Sequence, residues 1–161
     1  MIFSDLTAEI ARGLILYSPD TGNFEWRTGP RVGLRVGSVS SLGYLRVQLL
    51  GKQYRAHRLA WLLMTGCWPT HEVDHINGIR TDNRWCNLRD IPGWGNRQNQ
   101  RSARTTNSTG LLGASRLKNG RFIAQIQVGG KNFNLGRFDT AELAHSAYLA
   151  AKRSFHAFCS I

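Results

Sequence analysis

The sequence predicts an α+β protein built from small antiparallel sheets and short helices, and three stretches carry that prediction. In residues 44–49, Tyr44, Arg46 and Gln48 alternate with Leu45, Val47 and Leu49, the period of a half-buried strand. In "RFIAQIQV", Phe122, Ala124, Ile126 and Val128 fall on one face and Arg121, Ile123, Gln125 and Gln127 on the other. In "TAELAHSAYLAAKRSFHAF", Leu143/Ala144, Ala147/Tyr148, Ala151 and Phe155 recur at helical spacing behind a capping Thr140. The 161 residues suit one or two small domains with an ordinary apolar content.

Taken in order, residues 1–13 read as a short helix with Ser4 or Thr7 as N-cap and Gly13 as its stop. Pro19-Asp20 and Thr21-Gly22 have turn chemistry, with a strand-like run after them. Residues 37–58 read as a β-hairpin turning at Gly51-Lys52. "AHRLAWLLMTG" is a buried helix ended by Gly66, with Pro69 beyond. "EVDHI" and "NLRDI" are two short strands around a loop that opens with Asn77-Gly78. Pro92 suits the start of a helix carrying Asn96, Asn99 and Gln100 on one face. "TTNSTG" marks a boundary, and "LLGASRL", "RFIAQIQV" and "NFNLGRF" are three strands joined by "KNG" and "GGK" turns. The expected domains are a β-rich region over 1–55, a central core with its linker helix over 56–104, and a C-terminal domain over 105–161.

The formal net charge of +11 points to a polyanionic partner, most simply nucleic acid. The charge is uneven. Residues 1–55 carry +3, residues 97–104 hold three arginines and no acid, and residues 105–161 carry +5. Residues 56–96 are neutral, with four basic side chains against Glu72, Asp74, Asp82 and Asp90. Each acid repels phosphate, so acids gathered within a basic chain call for a reason. The simplest is a divalent cation, held by oxygen ligands and shared with a phosphate. Helix caps and surface balance would account for any one of these acids alone.

Asp74 and His75 stand beside Asn87 and Asn96. Carboxylate and amide oxygens suit a hard cation, and a neutral imidazole takes a proton from water near pH 7. Neighbouring residues of a strand point to opposite faces, so Asp74 and His75 share a site only if the strand ends there. Asn77, Asp82 and Asn83 read as loop hydrogen-bonders, His57 and Arg58 as packing or capping residues, and His71 as incidental. Trp61, Trp68, Trp85 and Trp94 read as core. Cys67, His71 and Cys86 lack the C-x-x-C spacing of a zinc site.

"HRLAW" (57–61), "VDHINGIRTDNRWCNLRD" (73–90) and "NRQNQ" (96–100) resemble the HNH endonucleases, in particular the phage homing type, and the likeness extends upstream through "GYLRVQLLGKQYRAHR". The resemblance implies a ββα-metal nuclease core clasping one divalent ion. It makes His75 the general base, Asp74 and Asn96 metal ligands, and Asn87 the residue that holds the loop and the histidine in place. The last position of the motif is Asn where many members have His, which favours Mg²⁺, with Mn²⁺ as the alternative. The implied activity is hydrolysis of DNA phosphodiesters by a site-specific homing-type endonuclease in a phage-infected bacterium, and one His75, one Asp74 and one Asn96 per chain make one active site and hence a nickase. A non-catalytic DNA-binding protein and a structure-specific or packaging nuclease are the rival readings.

Residues 109–155, with "GxxG.S", "F.A.I", "LGRFDTAELA" and "AY..A", resemble the Apetala-type, ethylene-response-factor-like DNA-binding domain. That resemblance implies a three-stranded sheet laid on double-stranded DNA with a helix packed behind. Phe122 stands where that family usually has tryptophan. The expected DNA contacts are Arg97, Arg101 and Arg104 in the linker and Arg116, Lys118, Arg121, Gln125, Gln127, Asn134 and Arg137 in the domain, since arginine and amide side chains reach phosphates and base edges.

Three scattered cysteines fit a reducing compartment, and the acidic N-terminus argues against a secretory signal. No apolar run approaches the roughly 20 residues of a membrane span. No heptad pattern or free apolar helix suggests a dimer, so a monomer is expected.

Overall fold

A computed structural model describes residues 6–161, which include four α-helices and ten β-strands. The chain divides into two compact units, one running to Gly93 and the other from Trp94 to Ile161. The boundaries expected at 55 and 104 fall elsewhere than this division. One hydrophobic core crosses position 55, joining Val36, Val47 and Leu49 to Ala56, Leu59, Leu62, Val73 and Leu88.

The first unit opens with helix α1 (Ala8–Leu14), capped by Thr7, whose side chain accepts from Ile10 N at 3.3 Å. Ser4, the other candidate cap, lies outside the described residues. Gly13 sits inside α1 instead of ending it, because the helix feeds straight into strand β1 (Ile15–Tyr17), which the sequence did not announce. β1 pairs antiparallel with β2 (Phe24–Trp26) around the expected turn, in which Ser18 N donates to Asn23 O.

Strands β3 (Ser38–Val39), β4 (Leu45–Leu49) and β5 (Lys52–Arg55) form an antiparallel sheet in the order β3-β4-β5. The register Val47↔Tyr54 and Leu49↔Lys52 puts the tight turn at Leu50-Gly51, one residue before the expected position. The alternation holds: Val47 and Leu49 are buried, and Gln48 is exposed. Helix α2 (Ala56–Thr65) buries Ala56, His57, Leu59, Ala60, Leu62 and Leu63 on one stripe and ends at Gly66, as read.

β6 (Glu72–His75) and β7 (Leu88–Ile91) pair antiparallel, with Asp74↔Arg89 and His75↔Leu88 in register. A 3-10 turn over Trp85–Asn87 leads into β7. Helix α3 (Gly93–Gln98) follows, shorter than expected. It includes Asn96, but Asn99 and Gln100 lie beyond its end, so the three amides do not share a helix face.

In the second unit β8 (Ala114–Arg116), β9 (Phe122–Val128) and β10 (Lys131–Phe138) form a sheet in the order β10-β9-β8, with helix α4 (Ala141–Phe155) behind it. Thr140 caps α4 by accepting from Leu143 N at 3.2 Å. Ala114, Ala124 and Ala144 form the buried centre, flanked by Leu111, Phe122, Leu135, Phe138, Ala147 and Tyr148. Small residues there let the helix lie close to the sheet. The stripe of α4 is narrower than its sequence suggests, since Leu143 and Phe155 at its ends are more than half exposed. Trp94 is also half exposed, its ring edge-on to Phe158 at 5.3 Å, and is not a core residue. Trp61, Trp68 and Trp85 do pack against the first core.

Candidate active site

The β6–β7 hairpin places Asp74 and His75 on the last two residues of a strand. β6 ends at His75, and Gly78 N donates to His75 O at 2.9 Å to close the turn. Both residues still belong to the strand, paired with Arg89 and Leu88, and the turn begins at the residue after His75.

His75 is 4 % exposed, and its Nε2 lies 3.0 Å from Oδ1 of Asn83, itself 1 % exposed. Asn83 donates from Nδ2 to Thr81 O at 3.2 Å, so the end of its amide that faces the imidazole is the oxygen. An oxygen there requires Nε2 to carry the proton, and Nδ1 is then the basic nitrogen. Burial holds the His75 pKa below the ordinary histidine value, while the Asn83 hydrogen bond, Asp74 and Asp82 act in the opposite direction. The imidazole is neutral at pH 7.

Asp74 is buried, and its Oδ2 accepts from Arg89 Nε at 3.1 Å and Nη2 at 2.9 Å. Arg89 is its cross-strand partner, so register alone brings the two together.

The loop between the strands is knitted by amides. Asn87 donates from Nδ2 to Asp82 O at 2.7 Å, accepts at Oδ1 from Asn77 N at 2.9 Å, and accepts at its backbone oxygen from Ile76 N at 2.9 Å. Asp82 accepts from Asn77 Nδ2 at 2.7 Å and from Arg84 Nε and Nη2 at 2.8 and 2.7 Å. The Arg84 guanidinium holds its carboxyl down at about 2. The β1–β2 turn braces the far side of this loop. Tyr17 OH donates to Asn83 O at 2.7 Å, and Trp85 N donates to Pro19 O at 2.8 Å. A Cβ on Gly22 (φ +72°) would lie 2.5 Å from Arg84 N and 2.6 Å from Asn83 C, so only glycine fits.

Several neighbours of His75 escaped the sequence reading. His57, read as packing, is 3 % exposed, and its ring meets His75 edge-on with centroids 5.0 Å apart at 78°. Burial, then the neighbouring His75, Arg55 and Arg58, pushes its pKa down to about 3. Tyr44 lies 5.3 Å from His57 and 6.2 Å from His75. Arg55 and Arg80 stand 5.2 and 5.0 Å from the Tyr44 ring. Asn83 is more than a loop bonder, since it fixes the tautomer of His75. Arg89 was legible in principle from the pairing of "EVDH" with "LRDI", once the register is known. His57 and Tyr44 are remote in sequence and gave no such signal.

Among the described residues no group of three His, Cys, Asp or Glu stands together as a metal cluster. Cys67 and Cys86 are exposed free thiols, and the exposed His71 ring lies 3.7 Å from Asp90. Beside His75 in the sequence, the buried Asp74 carboxylate is an oxygen donor of the kind that suits a hard divalent cation. Asn96, the other expected ligand, lies half-buried on α3 in the second unit.

The remaining expected contacts lie in the second unit. Arg97, Arg101 and Arg104 are exposed, with Arg101 donating to Ser160 O and Oγ at 3.0 and 2.8 Å. The registers Gln125↔Asn134, Ile123↔Arg137 and Gln127↔Asn132 bring Gln125, Gln127, Asn134 and Arg137 onto the sheet face opposite α4. Arg116 pairs with Phe122 and so starts from the helix side of the sheet, although it is exposed. Lys118 is exposed in the β8–β9 turn. Arg121 is paired with Asp139 at 3.0 Å.

Residues 54–101 match the family of HNH endonucleases. No curated protein and no solved structure matches the chain. No helix among the described residues is long and apolar enough to cross a membrane.

Proposed function

We propose that the chain, which carries an HNH endonuclease domain over residues 54–101, is a metal-dependent endonuclease that hydrolyses phosphodiester bonds of double-stranded DNA as a site-specific, homing-type nickase. The observation that carries this reading is the buried His75 with Nε2 tied to Asn83, beside the buried Asp74 at the end of one strand.

In this reading His75 is the general base. Nδ1 takes a proton from the water that attacks the scissile phosphorus, and Asn83 Oδ1 accepts from Nε2 before and after that transfer. Asn87 is a positioning residue: its two amide bonds span Asp82 and Asn77 and hold the loop that carries Asn83. His57, kept neutral by burial, adds no charge beside the base. Asp74 and Asn96 would hold one divalent cation, Mg²⁺ with Mn²⁺ as a substitute. When bound, that ion neutralises charge on the phosphate and the leaving oxygen. Arg89 balances the Asp74 carboxylate across the hairpin. The second unit, with ten Lys/Arg against Asp139 and Glu142, holds DNA through the face carrying Gln125, Gln127, Asn134 and Arg137, as the Apetala-type domains do.

The test is incubation of supercoiled plasmid libraries with the protein and Mg²⁺, followed by mapping of the cut ends. Discrete 5′ and 3′ ends that vanish with chelator are the expected outcome. Intact DNA under Mg²⁺ and Mn²⁺ alike would return the chain to a binding protein.

A further inference from the structure

Between Glu25 and Glu72 the sequence holds seven Lys/Arg and no acid at all. Four of the seven, Arg31, Arg35, Arg46 and Arg55, gather on one surface of the first unit. In the β3–β4–β5 sheet the register runs Ser38↔Arg46↔Arg55 in one row and Gln48↔Gln53 in the next. The opposite face of β4 carries Val47 and Leu49 and is buried in the core. The outer face is therefore polar and cationic throughout. Arg31 and Arg35, from the loop between β2 and β3, line a groove with Arg46, Gln48 and Gln53. Arg46 donates from Nη1 to Gln53 Oε1 at 3.2 Å, which orients both side chains. Among the described residues none of Arg31, Arg35, Arg46 and Arg55 is in an ion pair, although Glu25 stands across from Arg35 in an isolated β-bridge.

This face also leads to His75. Tyr44, one residue before β4, is in phase with Arg46 and Gln48, and its ring is the one lying 6.2 Å from His75. Arg55 closes the Ser38–Arg46 row and stands 5.2 Å from that same ring. The row of cations thus runs along the sheet to Tyr44 and on to Arg80. The sheet and the β6–β7 hairpin share one hydrophobic core, through Val47, Leu49, Leu59, Val73 and Leu88.

We propose that the outer face of the β3–β4–β5 sheet, with the Arg31–Arg35 loop, is a duplex-DNA contact surface that registers the substrate with His75. The chemistry selects the partner. Unpaired arginines take phosphate oxygens, and arginine and glutamine are the side chains that read guanine and adenine edges. A small antiparallel sheet is an element that enters a groove. Because the face and His75 share one core, DNA held there is held at a fixed distance from the base. The proposal rests on the endonuclease reading above, and deepens it by placing a substrate contact N-terminal to the motif.

The test compares full-length protein with Arg31→Gln/Arg35→Gln, with the charge-conserving Arg31→Lys/Arg35→Lys, and with Arg46→Gln. Binding to a labelled random-sequence duplex is measured across a salt series. Each lost phosphate contact should flatten the slope of log K against log salt by about 0.9, so the double glutamine variant should lose up to about two, and the lysine variant none. A slope unchanged in the glutamine variants, or lost equally in the lysine variant, overturns the proposal. Plasmid cleavage by the unaltered protein is scored in parallel. If that protein fails to cut, the endonuclease reading falls while the slopes still report on the surface.

Discussion

His75 and the residues that touch it set the first expectations. His75→Ala should slow cleavage by about 10²-fold or more, the range for losing a general base, while a DNA-binding titration stays close to that of the unaltered protein. Asn83→Ala removes the acceptor that holds Nε2–H. The imidazole is then free to sample the other tautomer, and single-turnover cleavage should fall by roughly one to two orders of magnitude with binding retained. Asn83→Asp keeps an oxygen at that place and should restore part of the rate. His57 supports a prediction about pH and stability. Its folded pKa of about 3 lies below the unfolded value of 6.5, so below pH 6.5 the unfolded chain binds a proton that the folded chain refuses. Stability should drop as pH falls from 6.5 toward 3. His75, shifted in the same direction by burial, adds to the drop. Urea midpoints across this window should fall less steeply for His57→Gln than for the unaltered protein.

The elements that brace the site lie outside its motif. The β1–β2 turn reaches the 82–85 loop at Gly22, where φ is +72° and a side chain would strike the backbone of Asn83 and Arg84. Gly22→Ala should cost about 1–3 kcal/mol from the left-handed backbone alone. Because the strain falls on Asn83, it should also lower cleavage. A thermal melt and an activity assay on one preparation check both. In the second unit, α3 depends on the C-terminal segment: Phe158 packs edge-on against Trp94, and a Cβ on Gly95 would overlap its ring. Lys152, buried on α4, donates to Gln100 O just past α3. Phe158→Ala should destabilise this unit by up to about 3 kcal/mol. If Asn96 is a metal ligand, it should also raise the Mg²⁺ concentration needed for half-maximal cleavage, which a metal titration reads directly. Gly113 makes a comparable close approach, to the Tyr148 ring, where α4 crosses the sheet.

For the whole molecule, the proposed function gives each chain one set of His75, Asp74 and Asn96, hence one hydrolytic site. One such site cuts one strand at a time, and cutting both strands together needs a pair of sites, usually from a symmetric dimer on a palindrome. Supercoiled plasmid should therefore pass to open circle well before linear DNA forms, at a rate first order in protein. Immediate linearisation, or a rate rising with the square of protein concentration, would mark a dimer that breaks both strands. Charge is divided unequally at this scale: residues 94–161 carry ten Lys/Arg and two acids, and residues 1–93 eleven and eight. Salt should accordingly weaken DNA binding most through the second unit.

The sequence by itself determined most of the elements and the identity of the central residues. Periodicity located β4, β9, α2 and α4, because each buries one face against a core and a buried face imposes its own spacing. Cap chemistry located Thr140 and narrowed the first cap to Ser4 or Thr7, of which Thr7 caps α1. The dense order of Asp74, His75, Asn87 and Asn96 drew attention to one short segment. Tertiary structure decided what surrounds that segment. β1 was missed because three residues give too short an alternation to recognise, and its stability comes from pairing with β2. The ends of the α4 stripe were read as core because periodicity reports which face is apolar and cannot report where the opposing sheet stops. His57 meets His75 across 18 positions, and Tyr44 meets it across 31. The tautomer of His75 depends on which way the Asn83 amide turns, and Thr81 O decides that. The cationic outer face of β3–β4–β5 is a matter of register. Composition counts the arginines, but pairing between strands sets them in one row, and packing of the sheet and the hairpin on one core aims that row at His75.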